Sequence, residues 1–209
     1  MLRINHFEKK YGDTLILSIP SIRFEHGIHW IRGENGSGKS SLFRSLAGII
    51  PCKGDVAFDD GISLHENSVE YRLNVNFSEA ETLFPGFLSA RDIIRFVSTA
   101  KKADTKQVDM LIRRFGVNSF LTQPTSTYSS GMLKRLSLCL AFIGDPRLII
   151  LDEPLVTLDA EIRSVLFDHI RETLTHRPVI FLISSHELFT TNDLPITSTL
   201  KIIQKSLVE

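Results

Sequence analysis

Nine consecutive residues, Gly33-Glu34-Asn35-Gly36-Ser37-Gly38-Lys39-Ser40-Ser41, restrict what this chain can fold into more than any other stretch. They fill every fixed position of G-x-x-x-x-G-K-[ST], a pattern that works only between a strand and a helix. Both neighbours fit. Ile28 to Ile31 is a short, mostly apolar run that includes Trp30, and Leu42 to Ile50 reads as helix. The glycines let the backbone curl until successive N–H groups converge, and the helix beginning near Lys39 turns its positive end to the same point. Such a loop cradles phosphate oxygens, with Lys39 reaching the β- and γ-phosphates and Ser40 offering a hydroxyl to Mg²⁺. A glycine-rich turn with an incidental lysine would leave the flanking strand and helix without a reason.

A chain of 209 residues can bury a sizeable core as one domain, with room for a subdomain. Lys plus Arg and Asp plus Glu number 24 each, so the formal net charge is zero. A general nucleic-acid surface needs uncompensated cations, and no nucleic-acid partner is expected. The basic pairs Lys101-Lys102 and Arg113-Arg114 read as solvated helix faces. Cys52 and Cys139 are far apart and in no metal-ligand spacing, which is the usage of a reducing compartment. The start, Met1 to His6, has no apolar signal core, and no run approaches the roughly 18 apolar residues of a membrane span. Dealings with a membrane are therefore expected to pass through a partner.

Leu2 to Tyr11 and Leu15 to Phe24 alternate apolar with polar residues around a Gly12-Asp13 turn, the pattern of an antiparallel pair. Tyr11 closes the first strand, where an aromatic ring either packs at the hairpin end or stacks on a base. Val56 to Phe58 and Leu73 to Phe77 read as further strands. Helical patterning runs from Ser89, which opens a capping box with Asp92, to about Gly144, with a second helix over Thr105 to Phe115. Arg147 to Leu151 is the apolar run of a central parallel strand, Asp159 to Thr175 an amphipathic helix, and Pro178 to Ile183 a second buried strand. A last strand is expected near Ile196 to Ile203. The fold class is α/β: a P-loop NTPase with a mostly parallel central sheet, an N-terminal antiparallel β region and an inserted α-helical subdomain. Residues 1–209 form one domain, with the helical insert at about 85–145. Asp152, Glu153 and His186 then fall just past the carboxyl ends of strands, where open α/β sheets place their ligands. Asp152 after an apolar strand is suited to holding the hydration shell of Mg²⁺, and Glu153 to orienting an attacking water.

Over nearly its whole length the chain resembles the nucleotide-binding subunit of an ATP-binding cassette (ABC) transporter. Tyr128-Ser129-Ser130-Gly131-Met132 is similar to the family's L-S-G-G-Q signature and lies about twenty residues before Asp152. Tyr11 matches the adenine-stacking aromatic, Leu158-Asp159 the D-loop, and His186 the switch histidine, expected at the γ-phosphate. The resemblance implies an ATP-hydrolysing subunit that powers a separate membrane-spanning subunit from the cytoplasmic face. It also implies a homodimer or heterodimer closing head to tail, with Ser129, Gly131 and the signature helix of one copy facing the ATP held by the other. A soluble ABC ATPase acting on nucleic acid or ribosomes is the alternative, and it lacks the expected coiled-coil insertion or second cassette.

The chain also departs from the family. Glu79 stands where the Q-loop glutamine is usual, a carboxylate that can still ligate Mg²⁺. Ser130 replaces a glycine and Met132 the glutamine of the signature, which is expected to loosen contact with the γ-phosphate and slow hydrolysis. The apolar loop Leu83 to Leu88 has two readings: core for the helical insert, or the floor of a groove that receives a helix from the membrane subunit.

Overall fold

The computed structural model describes residues 1–187, 189 and 193–208. Two strands open the chain, β1 (Leu2–Tyr11) and β2 (Thr14–Phe24), followed by β3 (Gly27–Arg32) and helix α1 (Lys39–Leu46). Next come β4 (Lys53–Phe58), α2 (Ser68–Leu73) and β5 (Val75–Ser78). Helices α3 (Ala90–Ala100), α4 (Thr105–Arg114) and α5 (Ser130–Ala141) then precede β6 (Leu148–Leu151). The last elements are α6 (Ala160–His176), β7 (Ile180–Ser184), β8 (Ile196–Ile203) and β9 (Ser206–Val208).

Two sheets result. One is antiparallel with order β2-β1-β4, and the other has order β5-β6-β7-β3-β8-β9, parallel except for the last pairing. The parallel sheet separates two apolar cores. Ile149 and Leu151 of β6 with Phe181 and Ile183 of β7 face one core; Leu148, Ile150, Ile180 and Leu182 face the other. Side chains alternate between faces, so a strand covered on both sides must be apolar throughout. That is why Leu148 to Leu151 reads as an unbroken run rather than an alternating one. Each such side chain contributes about 1.5–3 kcal/mol by leaving water. The first core extends through α3, α4 and α5; the second is shared with the antiparallel sheet and α1.

Several boundaries differ from the sequence reading. Helix α1 ends at Leu46 rather than Ile50, because Gly48 turns left-handed at φ +71°. Leu73 belongs to α2, and the strand begins only at Val75. Of the six residues of α2 only Tyr71 is buried, and the N-cap Asn67 makes no capping bond, its Oδ1 accepting from the Ser63 N–H instead, so periodicity did not mark the helix and its cap is not formed. The hairpin β8–β9 is also unexpected. Gln204 and Lys205 adopt φ of +47° and +64° at its turn, where a sequence signal would have been Asn-Gly.

Buried against the first core, His169 of α6 lies edge-on to Phe115 and Phe142, with Nδ1 unpartnered. Burial, helped by Arg114, pushes its pKa down to about 4. Below the ordinary value of 6.5 the unfolded chain takes up a proton that the folded chain refuses until about pH 4. This share of the stability, on the order of 3 kcal/mol, is therefore intact above pH 6.5 and lost as pH falls through that window. Thermal denaturation against pH should show a falling Tm between about pH 6.5 and 4, flattened in His169→Phe; an equally steep fall in the variant would rule this source out.

Candidate functional site: a phosphate cradle facing a carboxylate pair

The loop from Gly33 to Gly38 joins the buried strand β3 to α1. Gly36 and Gly38 stand at φ +77° and +108°, and a Cβ on Gly38 would meet Leu17 and Ile16 at 3.1 Å. Only glycine fits there. Gly38 is also the N-cap of α1 and supplies no side chain to the first-turn N–H groups, which are left for a ligand. Lys39 lies back across the loop, donating from Nζ to Gly33 O at 2.7 Å and Glu34 O at 3.1 Å. The cradle is thus preformed.

A cleft of about 360 Å³ opens above it, lined by Asn35 to Ser41 with Ile16, Ala80, Asp152, Glu153 and His186. A larger hollow of about 460 Å³ lies beyond Glu34, Gly36 and Ser37, towards the β8–β9 turn, but contains none of Asp152, Glu153 or His186. The smaller cleft holds the chemistry. Its far wall is built by the carboxyl ends of β6 and β7. Asp152, buried, follows β6; its Oδ1 accepts from the Ser184 hydroxyl at 2.6 Å, leaving a second oxygen outside that bond. Glu153 takes φ +46°, and its N–H donates to the same Ser184 oxygen at 2.9 Å. Its Oε2 accepts from the His186 backbone N–H at 3.2 Å. Oε1 lies 3.4 Å from His186 Nε2 and is buried without a hydrogen-bond partner. A buried acceptor left open in this way is a place for a ligand proton.

Other sequence-predicted residues stand outside this cleft. Tyr11 is near the helix, its hydroxyl 3.4 Å from Ser41 Oγ; the ring is 51% exposed, with Lys9 Nζ 4.4 Å from its centroid. Ser129 is the N-cap of α5 and accepts from Met132 N–H at 3.2 Å. Asp159 caps α6, accepting from Ile162 N–H at 2.9 Å. Gly131 sits against this second segment, since a Cβ on it would come within 3.2 Å of Thr157 O. Ser129, Gly131 and Asp159 do not line the cleft that holds Lys39. Glu79 does not line it either: its carboxylate pairs with Arg44 of α1 at 3.2 Å.

Two residues at the site carry no role in the sequence reading. Ser184 is one, and its signal was a polar residue ending an apolar strand two positions before His186. Lys134 is the other. Buried on α5, it donates to the carbonyls of Glu79 at 2.8 Å and Ala80 at 3.0 Å, tying the signature helix to the cleft wall. Burial lowers its pKa to about 8, against the pull of Asp152 and Glu153. Nothing in a helical lysine announces that it is buried.

A family model described as ABC transporter matches residues 21–156. An aliphatic sulfonates import ATP-binding protein of Burkholderia cenocepacia is 31% identical over 190 residues, covering 90% of this chain and 68% of that protein. Among solved structures, the ATP-binding subunit of an ABC transporter superposes with a TM-score of 0.89 at 20% identity, over 99% of this chain and 88% of the other. An ATP-binding cassette solved as a dimer in a post-hydrolysis state, bound to ADP and Pi, superposes at 0.84 with 16% identity, over 100% of this chain and 97% of the other.

Glu79→Gln removes the charge that faces Arg44. The pair is partly exposed, so folding stability should change by less than about 1 kcal/mol, measured by denaturant titration. ATP hydrolysis should be retained in the same variant; an abolished rate in folded protein would assign Glu79 a role that glutamine cannot fill.

Proposed function

Because the chain belongs to the ABC transporter family, we propose that it is the subunit that binds and hydrolyses ATP to drive transport through a separate membrane-spanning subunit. One observation carries the reading: Lys39, Asp152, Glu153 and His186 share one cleft, while the signature residues Ser129 and Gly131 stand outside it. A phosphate cradle on one face and an uncovered helix N-terminus on another are two halves of a site that two copies complete. The stretch at about 85–145 is the subdomain that presents the second half.

In this reading the loop amides and Lys39 hold the phosphates, and Tyr11 stacks on the adenine. Glu153 orients the attacking water and takes up its proton, with His186 at the γ-phosphate. Ser129, the backbone at Gly131, and Asp159 come from or face the second copy. Ser40 and Asp152 would hold Mg²⁺, with Glu79 as a further ligand if it leaves Arg44. Among the described residues no three His, Cys, Asp or Glu side chains gather as a metal site, which suits a hard cation bound through phosphate and water with few protein oxygens. Bound there, the ion would neutralise charge on the phosphate oxygens.

The described helices include none long and apolar enough to cross a membrane. The subunit would sit on the cytoplasmic face through its partner. Leu83 and Phe87 are 89% and 83% exposed, while Phe84 packs against the first core, which supports the docking reading of this loop.

Glu153→Gln should lower ATP turnover by about a hundredfold or more while ATP binding persists. Turnover per subunit of the wild-type chain should rise with protein concentration as copies pair. A rate per subunit unchanged at every dilution would contradict catalysis by a closing pair.

A further inference from the structure

Ser184 ends β7 with its side chain fully buried. The parallel register pairs Leu151 with Ile183, and so sets Ser184 beside Asp152. One hydroxyl serves both acidic residues: it donates to Asp152 Oδ1 at 2.6 Å and accepts the N–H of Glu153 at 2.9 Å. A hydroxyl has a single proton and an ionised carboxylate only accepts, so the direction of both bonds is fixed. Glu153 N–H, Ser184 O–H and the Asp152 carboxylate run head to tail, each bond polarising the next. The link to the carboxylate is charge-assisted and the stronger of the two.

What this chain restrains is a strained backbone. Glu153 at φ +46° is in the left-handed region, which a glutamate rarely occupies and which persists only where its surroundings over-determine it. Ser184 pins the amide of Glu153, and the His186 N–H holds its carboxylate at 3.2 Å. Without the first anchor the turn can relax toward commoner dihedrals, and the side chain that enters the cleft changes direction. Asp152 would at the same time lose the donor that fixes its orientation.

We infer that Ser184 is a positioning residue for ATP hydrolysis, holding Asp152 and the left-handed backbone of Glu153 so that both carboxylates face the bound nucleotide. The inference rests on the ATPase reading above. Ser184 acts through the two acidic residues and does not line the cleft, so its loss lowers kcat more than ATP affinity.

The test compares Ser184→Ala, Ser184→Cys and Ser184→Thr in the full chain, with Ser184→Ala also combined with Glu153→Gln. Ser184→Ala should lower kcat about tenfold with KM for ATP within about twofold. The cysteine, which keeps the packing but donates weakly, should fall between, and the threonine should recover to within about threefold of wild type. In the Glu153→Gln background Ser184→Ala should cost less than in the wild type, because the share that acts through Glu153 is already lost. Independently of activity, amide exchange at Glu153 should become about tenfold faster in Ser184→Ala. Wild-type kcat with unchanged exchange at Glu153 would overturn the inference, as would an undiminished loss in the Glu153→Gln background. A wild-type chain that hydrolyses no ATP under any condition would sink the ATPase reading instead, and the exchange rate at Glu153 would still decide the role of Ser184.

Discussion

The site depends on the register of three parallel strands. Leu151 of β6 pairs with Ile183 of β7, and Ser184 of β7 pairs with Ile31 of β3, so the three strands end nearly abreast. Everything chemical is fastened just past that line: the phosphate loop after β3, Asp152 and Glu153 after β6, Ser184 and His186 at the end of β7. Parallel strands have their carboxyl ends on one side, and residues far apart in the chain meet there without any loop having to cross the sheet. A slip of one residue in β6 would turn every side chain to the opposite core, exchanging Ile149 and Leu151 for Leu148 and Ile150. Filling both cores therefore fixes the site's alignment as well as the fold.

A second set of contacts carries that alignment outward to the signature. Asn76 of β5 donates to the carbonyls of Ala141 and Ile143, both at 2.9 Å, at the C-terminal end of α5. Ser78 and Ser137 share a hydrogen bond of 2.8 Å one turn earlier, and Lys134 reaches Glu79 and Ala80 one turn before that. Four buried polar side chains, Asn76, Ser78, Ser137 and Lys134, thus stitch α5 to β5 and to the loop that follows it. Each donor buried here would be costly if left unpaired, which makes the contact specific in register as well as attractive. The helix whose first turn bears Ser129 to Met132 is in this way tied to Ala80, a wall of the cleft.

Charge is distributed to match. The cleft gathers Asp152 and Glu153 opposite the lysine and amides of the phosphate loop, so the anionic and cationic walls face one another across the space a nucleotide would take. The carboxylate of Glu79 is drawn out of that space by Arg44. An exchange of glutamine for glutamate at this position need not, then, add a negative charge beside the phosphates. The exposed apolar side chains of Leu83 and Phe87 lie on the loop that follows Glu79.

By itself the sequence determined the phosphate loop, the carboxylates after the apolar strand, the signature-like Tyr128 to Met132 with its spacing, and the order of the longer strands and helices. These are local: a glycine at a left-handed turn, a run of β-branched residues or a serine at a helix start carries its physical reason within a few neighbours. Tertiary structure alone decided the rest. The short α2 and the β8–β9 hairpin have no sufficient cap, periodicity or turn signal and exist because the surrounding packing holds them. Lys134 and Glu79 took unexpected partners, since burial and ion pairing depend on what another element brings alongside. Ser184 is an ordinary serine at the end of a strand until the register places it against Asp152, because a hydrogen bond is specified by the position of both its ends and a sequence states only one.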